Sequence, residues 1–186
     1  TTLPSDLLNL IENALQAAVR SRAFGSSTAL SDMISYHMGW EDQSPEKRTK
    51  GKRLRPLLCL LSARACGGSI TSALPSATAI ELLHNFTLIH DDIEDLSELR
   101  HGQPTVWKRW GIAQAINAGD ALFSIAQLSL LQPSANYDSD TALTLATRFN
   151  ETCLHLTRGQ YLDMAFESQS TIALDAYLEM IEGKTA

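Results

Sequence analysis

His84, Leu88, Asp91 and Asp95 step along the chain by four, three and four residues, so on a helix they share one narrow stripe. Asp91 and Asp95 then project their carboxylates side by side, one turn apart. Two like charges at that spacing disfavour joint ionisation unless cations sit between them. A basic side chain could neutralise them, but a hard divalent ion such as Mg²⁺ is the better match for clustered carboxylate oxygens. Mg²⁺ keeps several waters and is shared with substrate phosphates, so the stripe reads as a wall for binding a diphosphate. An acidic run at a helix end is otherwise a solvated face. Here Ile80, Leu82, Leu83, Phe86, Leu88 and Ile89 are apolar nearly all round, as in a buried helix. Carboxylates ending such a helix are costly unless paired or metal-bound.

A second group is basic. Lys47, Arg48, Lys50, Lys52, Arg53 and Arg55 surround Gly51. A solvated charge run or a nucleic-acid contact would use the same composition. Lys52 and Arg55, however, lie three apart at the start of an apolar helix, beside its N-terminal amides, where phosphate is favoured. Pro56 fits the first turn of that helix, where a missing N–H does no harm. A third group, Arg100 to Thr105, comes directly after the acidic helix, and Arg100 can return to the carboxylates or pair with Glu98 or Glu94. Gln160 and Asp163 share a face at i, i+3, which from spacing alone is a polar packing contact. Trp107 and Trp110 read as packing residues.

The elements that must position these groups are helical throughout. Leu7, Leu8, Leu10, Ile11, Leu15 and Val19 predict a first amphipathic helix, and Leu30, Met33, Ile34 and Met38 a second. Trp40 to Gly51 reads as a loop. Helices are expected over about Leu54–Ala65, Ala73–Asp95, Ile112–Leu131, Thr141–Glu167 and Leu174–Glu182. Leu96–Pro104 turns the chain, Gln132–Asp140 is a loop, and no strand run, repeat or low-complexity tract stands out. The expectation is an all-α chain of one domain over residues 1–186. Its net charge of −6 argues against nucleic acid or an anionic membrane as the main partner. No apolar run is long enough for a transmembrane segment. Cys59, Cys66 and Cys153 form no CxxC pair, which fits reduced thiols and a cytoplasmic location. There is no GxxxxGK[ST] or GxGxxG loop, and the histidines show neither HExxH nor zinc spacing.

Taken in order, these motifs resemble those of the trans-type polyprenyl diphosphate synthases, short-chain type. GKRLRP at Gly51–Pro56, LHNFTLIHDDIED at Leu83–Asp95, RHGQPT at Arg100–Thr105, AGDAL at Ala118–Leu122, GQYLD at Gly159–Asp163 and Lys184-Thr185 carry the likeness, over roughly residues 40–186. The resemblance implies an antiparallel helical bundle of isoprenoid synthase type around a central cavity. It also implies a Mg²⁺-dependent prenyltransferase of isoprenoid biosynthesis, condensing isopentenyl diphosphate with an allylic diphosphate, and a homodimer. Lys52, Arg55 and His84 would bind isopentenyl diphosphate. Asp91 and Asp95 would hold Mg²⁺ carrying the allylic diphosphate, contacted by Arg100, Lys184 and Thr185, with Gln160 a further substrate contact. Metal ions and fixed cations would stabilise the leaving diphosphate, and an apolar cavity would shield the allylic cation from water. Phe86 and Thr87, just upstream of Asp91, would set product length, a C20 product first and C15 next.

Two departures shape the expectations. Where the family has Arg-Arg-Gly, the second position is His101, which is expected to weaken diphosphate binding or make it fall more steeply with rising pH than Arg would. The family's second aspartate-rich motif lies beyond its Lys-Thr pair, and this sequence stops at Ala186. A part of a longer protein is therefore expected, with these residues alone turning over poorly. The competing readings are a non-catalytic regulatory subunit, which leaves Asp91 and Asp95 without a purpose, and a class I terpene cyclase, which has no need of Lys52, Arg55 and His84.

Overall fold

The computed structural model describes residues 4–21, 28–40, 51–132 and 137–184, and the chain forms two compact units, Thr1–Tyr137 and Asp138–Ala186. Among the described residues the first unit holds helices α1 (Pro4–Ser21), α2 (Thr28–His37), α3 (Leu54–Ala65), α4 (Ile70–Glu94), α5 (Val106–Trp110) and α6 (Ile112–Leu130). A two-stranded hairpin, β1 (Leu99–Arg100) and β2 (Gln103–Pro104), lies between α4 and α5. The second unit is α7 (Ser139–Phe166) and α8 (Leu174–Lys184). The all-α reading holds, with boundaries close to those expected. The loop predicted over Trp40–Gly51 falls on residues 41–50, outside the described residues, as do positions 133–136 of the loop predicted at Gln132–Asp140.

The core forms where the apolar periodicities meet. On α1, Leu7, Ile11, Leu15 and Val19 are buried at steps of four, a single stripe, each such side chain contributing roughly 1.5–3 kcal/mol. On α6 the buried face carries four small residues, Ala115, Ala118, Gly119 and Ala126, beside Leu122, Ile125 and Leu130. That lets α4 approach α6 closely, and a Cβ on Gly119 would run into the His90 ring of α4. Helix α4 is packed on several sides, so Ala77, Ala79, Leu82, Leu83 and Ile89 are buried around its circumference together with Glu81, Asn85 and Asp92. Ser69 starts it, its hydroxyl accepting from the Ser72 N–H at 3.0 Å. No helix among the described residues is long and apolar enough to cross a membrane.

The hairpin and α5 correct the sequence reading, which had no strand and a plain turn there. Helix α4 ends when Asp95 caps it and Leu96 takes φ 51°, after which Ser97 N–H returns to the Asp92 carbonyl at 2.9 Å. Leu99 then pairs with Pro104 and Arg100 with Gln103. His101 (φ 53°) and Gly102 (φ 78°) form the two-residue connection, both left-handed, as a primed hairpin turn requires. Strands this short have no periodicity to read. The carbonyl of Ser97 anchors the start of α5, accepting from Thr105 Oγ1 and Trp107 Nε1, each at 2.9 Å. Trp107 is thus a packing residue, as is Trp110, whose ring meets Tyr36 edge-on at 5.1 Å.

Candidate functional site

The Gly51–Arg55 segment, the middle of α4 and the hairpin enclose a pocket of about 620 Å³ lined by Lys52, Arg55, His84, Leu88, Arg100 and His101, among others. Three sequence groups with no local relation therefore meet at one place. Helix α3 opens on this pocket without a side-chain cap, so its first amides and the positive end of its dipole are available to an anion. Lys52 lies just before the helix and Arg55 within its first turn, and both are exposed.

Arg55 Nη1 donates to His84 Nε2 at 3.2 Å. A guanidinium has only donors, so this nitrogen of His84 must be the acceptor and the ring must be neutral, its proton on Nδ1. Burial and then the neighbouring charges of Arg55, Arg100 and Arg53 agree, lowering the His84 pKa to about 4. His84 thus offers a hydrogen-bond donor and an oriented Arg55, with no charge of its own.

Arg100 does not pair with Glu98 or Glu94. Its Nε lies 3.0 Å from both oxygens of Asp92 and its Nη2 2.9 Å from Oδ1. Asp92 is 2 % exposed and Arg100 bridges from it to the pocket. Burial pushes the Asp92 carboxyl above its ordinary range, opposed by Arg100. Glu98 is taken instead by Lys108 at 2.6 Å.

Asp91 and Asp95 continue the stripe begun by His84 and Leu88. Asp95 is the residue after the helix, its N–H on the Asp91 carbonyl at 2.8 Å, so its carboxylate stays one turn from that of Asp91. Among the described residues no set of three or more His, Cys, Asp or Glu side chains is placed to hold a metal alone. Two carboxylates suit Mg²⁺ that completes its shell with water and substrate phosphate, so the donor set fits that ion. Phe86 faces away from the pocket towards α6, its ring 4.6 Å from that of His90 and 5.2 Å from that of Phe123. Thr87 is tied to its own helix through the His84 carbonyl at 2.8 Å.

In the second unit Lys184 pairs with Asp163 and Arg158 with Glu179, joining α8 to α7. Asp163 is therefore an ion-pair partner of Lys184, more than the simple packing contact its spacing suggested; Gln160 is partly buried on the same helix. Thr185 lies outside the described residues.

The sequence model of the polyprenyl synthetase family matches residues 45–186. The chain belongs to the polyprenyl synthetase family. It is 41 % identical over 187 aligned residues to the (2E,6E)-farnesyl diphosphate synthase of Mycobacterium tuberculosis, covering 100 % of this chain and 50 % of that protein. The geranylgeranyl diphosphate synthase of Methanosarcina mazei is 46 % identical over 136 residues, 73 % of this chain and 41 % of that one. The crystal structure of geranylgeranyl pyrophosphate synthetase from Pyrococcus horikoshii aligns with a TM-score of 0.82 at 34 % identity, over 95 % of this chain and 50 % of that chain. The fold is that of the all-α isoprenoid synthases, and the chain spans about half the length of the curated relatives it matches.

Within GKRLRP the sequence groups Arg53 with the other cations of the basic run and assigns it no role of its own. It is 6 % exposed and ion-paired, and with Glu81, Asn85 and Asp92 it was missed as part of the site's frame. Also missed was His37, at the end of α2, which lines the pocket with a buried Nε2 that has no hydrogen-bond partner among the described residues. Burial first, then Arg100 and Arg53, lower its pKa to about 3, against a hydrogen bond with Asn85. His37 and His84 both bind protons more weakly in the folded state than at the ordinary histidine pKa of about 6.5. Their stabilising effect is therefore fully present above that value and lost as pH falls through the folded values. The urea midpoint of His37→Gln should decline less between about pH 7 and pH 4 than that of the parent. Parallel declines would show that His37 carries none of the acid sensitivity.

Proposed function

We propose that this polyprenyl synthetase is a Mg²⁺-dependent prenyltransferase condensing isopentenyl diphosphate with an allylic diphosphate into a C20 or C15 trans-prenyl diphosphate. In this reading the pocket at the start of α3 takes the diphosphate of isopentenyl diphosphate. The observation that carries it is the meeting of Lys52, Arg55, His84, Arg100 and His101 around one pocket at an uncapped helix N-terminus. Relatives that include a farnesyl and a geranylgeranyl diphosphate synthase support the short product.

Each side chain has a role that its setting dictates. Lys52 and Arg55 bind phosphate oxygens, Arg55 held at the right angle by the neutral His84. His84 adds an Nδ1–H donor. Arg100, fixed by Asp92, keeps the guanidinium edge not used in that pair for the allylic diphosphate. Asp91 and Asp95 would hold Mg²⁺, which when bound neutralises the charge growing on the departing diphosphate. Lys184 is proposed to exchange Asp163 for the allylic diphosphate, with Gln160 and Thr185 as further contacts. Phe86, backed by Phe123, is proposed to limit product length. A homodimer is supported by the exposed Ile112 and Ile116 of α6, and a cytoplasmic setting by the three unpaired thiols.

The direct test is calorimetric binding of isopentenyl diphosphate. The paired change Lys52→Ala and Arg55→Ala should weaken it at least about 100-fold, two charge-assisted contacts each worth roughly 1.5–3 kcal/mol. His101→Arg should tighten it, because a guanidinium brings a fixed charge and a planar fork of donors where an imidazole offers at most two N–H groups. Equal affinity in parent and Lys52→Ala/Arg55→Ala would sink the assignment. Mg²⁺-dependent turnover with allylic diphosphates of increasing length then reads the product.

A further inference from the structure

Arg53 sits between the two phosphate-binding candidates Lys52 and Arg55, yet its own charge is fully engaged. Its Nε donates to Glu12 Oε2 of α1 at 3.2 Å, its Nη1 to Glu81 Oε1 of α4 at 2.8 Å, and its Nη2 to the Met38 carbonyl after α2 at 3.3 Å. Both carboxylates have second partners. Trp40 Nε1 donates to the other oxygen of Glu12, and Asn85 Nδ2 to Glu81 Oε1 at 3.3 Å. One buried guanidinium thus ties together α1, the end of α2, the start of α3 and the middle of α4. It does so from a backbone few residues adopt, φ 49° and ψ 35°, without the freedom of glycine. Such a conformation persists only where the surroundings over-determine it, and here the surroundings are three acceptors on three elements. The left-handed turn at Arg53 is what sends Lys52 before the helix and Arg55 into its first turn.

We infer that Arg53 is a positioning residue for the diphosphate pocket, and that α1 is a working part of that pocket through Glu12. The inference rests on the proposed diphosphate reading. Arg53 lines the pocket, but it is buried and its donors are turned to Glu12, Glu81 and Met38; the two carboxylates offset its attraction for an anion and make it a geometric anchor. Helix α1 lies outside the segment that carries the family motifs, and Glu12 is its only link to the GKRLRP segment among the hydrogen bonds of the described residues.

The test titrates inorganic pyrophosphate into the parent chain, Glu12→Gln, Arg53→Lys, the combined variant, and Leu15→Ala. Leu15→Ala empties a fully buried position of α1 and supplies loss of stability without touching the pocket. Glu12→Gln and Arg53→Lys should each weaken pyrophosphate binding about five- to tenfold, the scale of a sub-ångström misplacement of the ligating cations. The combined variant should be no weaker than about twofold beyond Arg53→Lys, since both changes break one link. The salt dependence should keep its slope, because Lys52 and Arg55 are still present. Leu15→Ala should lose more melting temperature than Glu12→Gln while binding within about twofold of the parent. Unchanged affinity in Glu12→Gln and Arg53→Lys overturns the inference, and so does an equal loss in Leu15→Ala, which would reduce Arg53 to general stability. A parent chain that does not bind pyrophosphate would instead overturn the diphosphate reading on which the inference stands.

Discussion

Replacing Arg100 by leucine is expected to lower the stability of the Thr1–Tyr137 unit by about 3 kcal/mol, because it strands the buried Asp92 carboxylate without its ion partner. The guanidinium meets that carboxylate with two nitrogens, and Asp92 at 2 % exposure has no water to turn to. In melting temperature the loss corresponds to roughly 6–12 °C. Removing both charges should hurt less than removing one: Asp92→Leu with Arg100→Leu spares the cost of the lone carboxylate, and an apolar pair of similar size is often neutral. Thermal denaturation of the two variants decides the matter. A double variant less stable than Arg100→Leu would mean that the lone Asp92 carboxylate carries no such cost. The hairpin gives a second readout, since Arg100 holds β1 against α4. Amide exchange at Leu99–Gln103 should quicken in Arg100→Leu and stay near the parent rate in residues of α1.

Gly159→Ala should destabilise the contact of α8 with α7 by about 1–3 kcal/mol, although alanine is the better helix former by about 1 kcal/mol. A Cβ at Gly159 would lie 2.8 Å from the Lys184 Cα and nearer still to the Lys184 nitrogen and the Gly183 carbonyl carbon. These are backbone atoms of α8 and cannot swing aside. Gly183 is tight from the other side, though less so, its own Cβ position 2.9 Å from the His155 carbonyl oxygen and 3.0 Å from the Gly159 Cα. Two glycines thus let the helices touch backbone to backbone, and Lys184–Asp163 and Arg158–Glu179 close the contact. The expected outcome is faster amide exchange across Leu174–Lys184 in Gly159→Ala. Slower exchange there would show that helix propensity wins and that α8 shifts at little cost. Gly119 provides the contrast: its obstacle is the His90 ring, a side chain and not backbone, so Gly119→Ala should be milder.

Much of the fold was written locally. The spacing of Leu7, Ile11, Leu15 and Val19, the Gly67-Gly68 stop after Ala65, and the all-round apolar character of Ile80–Ile89 each fix an element through 3.6-residue periodicity and turn chemistry. The motif order likewise marked Lys52, Arg55, His84, Asp91 and Arg100 as a set, and the pocket gathers four of them with His101 while Asp91 stays one turn further along α4. The hairpin escaped notice because two-residue strands are defined by their partner across the turn and not by a pattern along the chain.

The charged residues divide differently. Lys52, Arg53 and Arg55 are alike in a sequence, as are Asp91 and Asp92, and nothing in residue type says which will be buried. Only the packing of α1, α2 and α4 around Arg53 turns that residue into an anchor and leaves its neighbours for an anion. Only the return of β1 onto α4 selects Asp92 over Glu94 and Glu98 for Arg100. The sequence by itself determined the long helices and the inventory of charges. The tertiary structure decided which charges neutralise one another, because that choice depends on distances and desolvation across elements far apart in the chain.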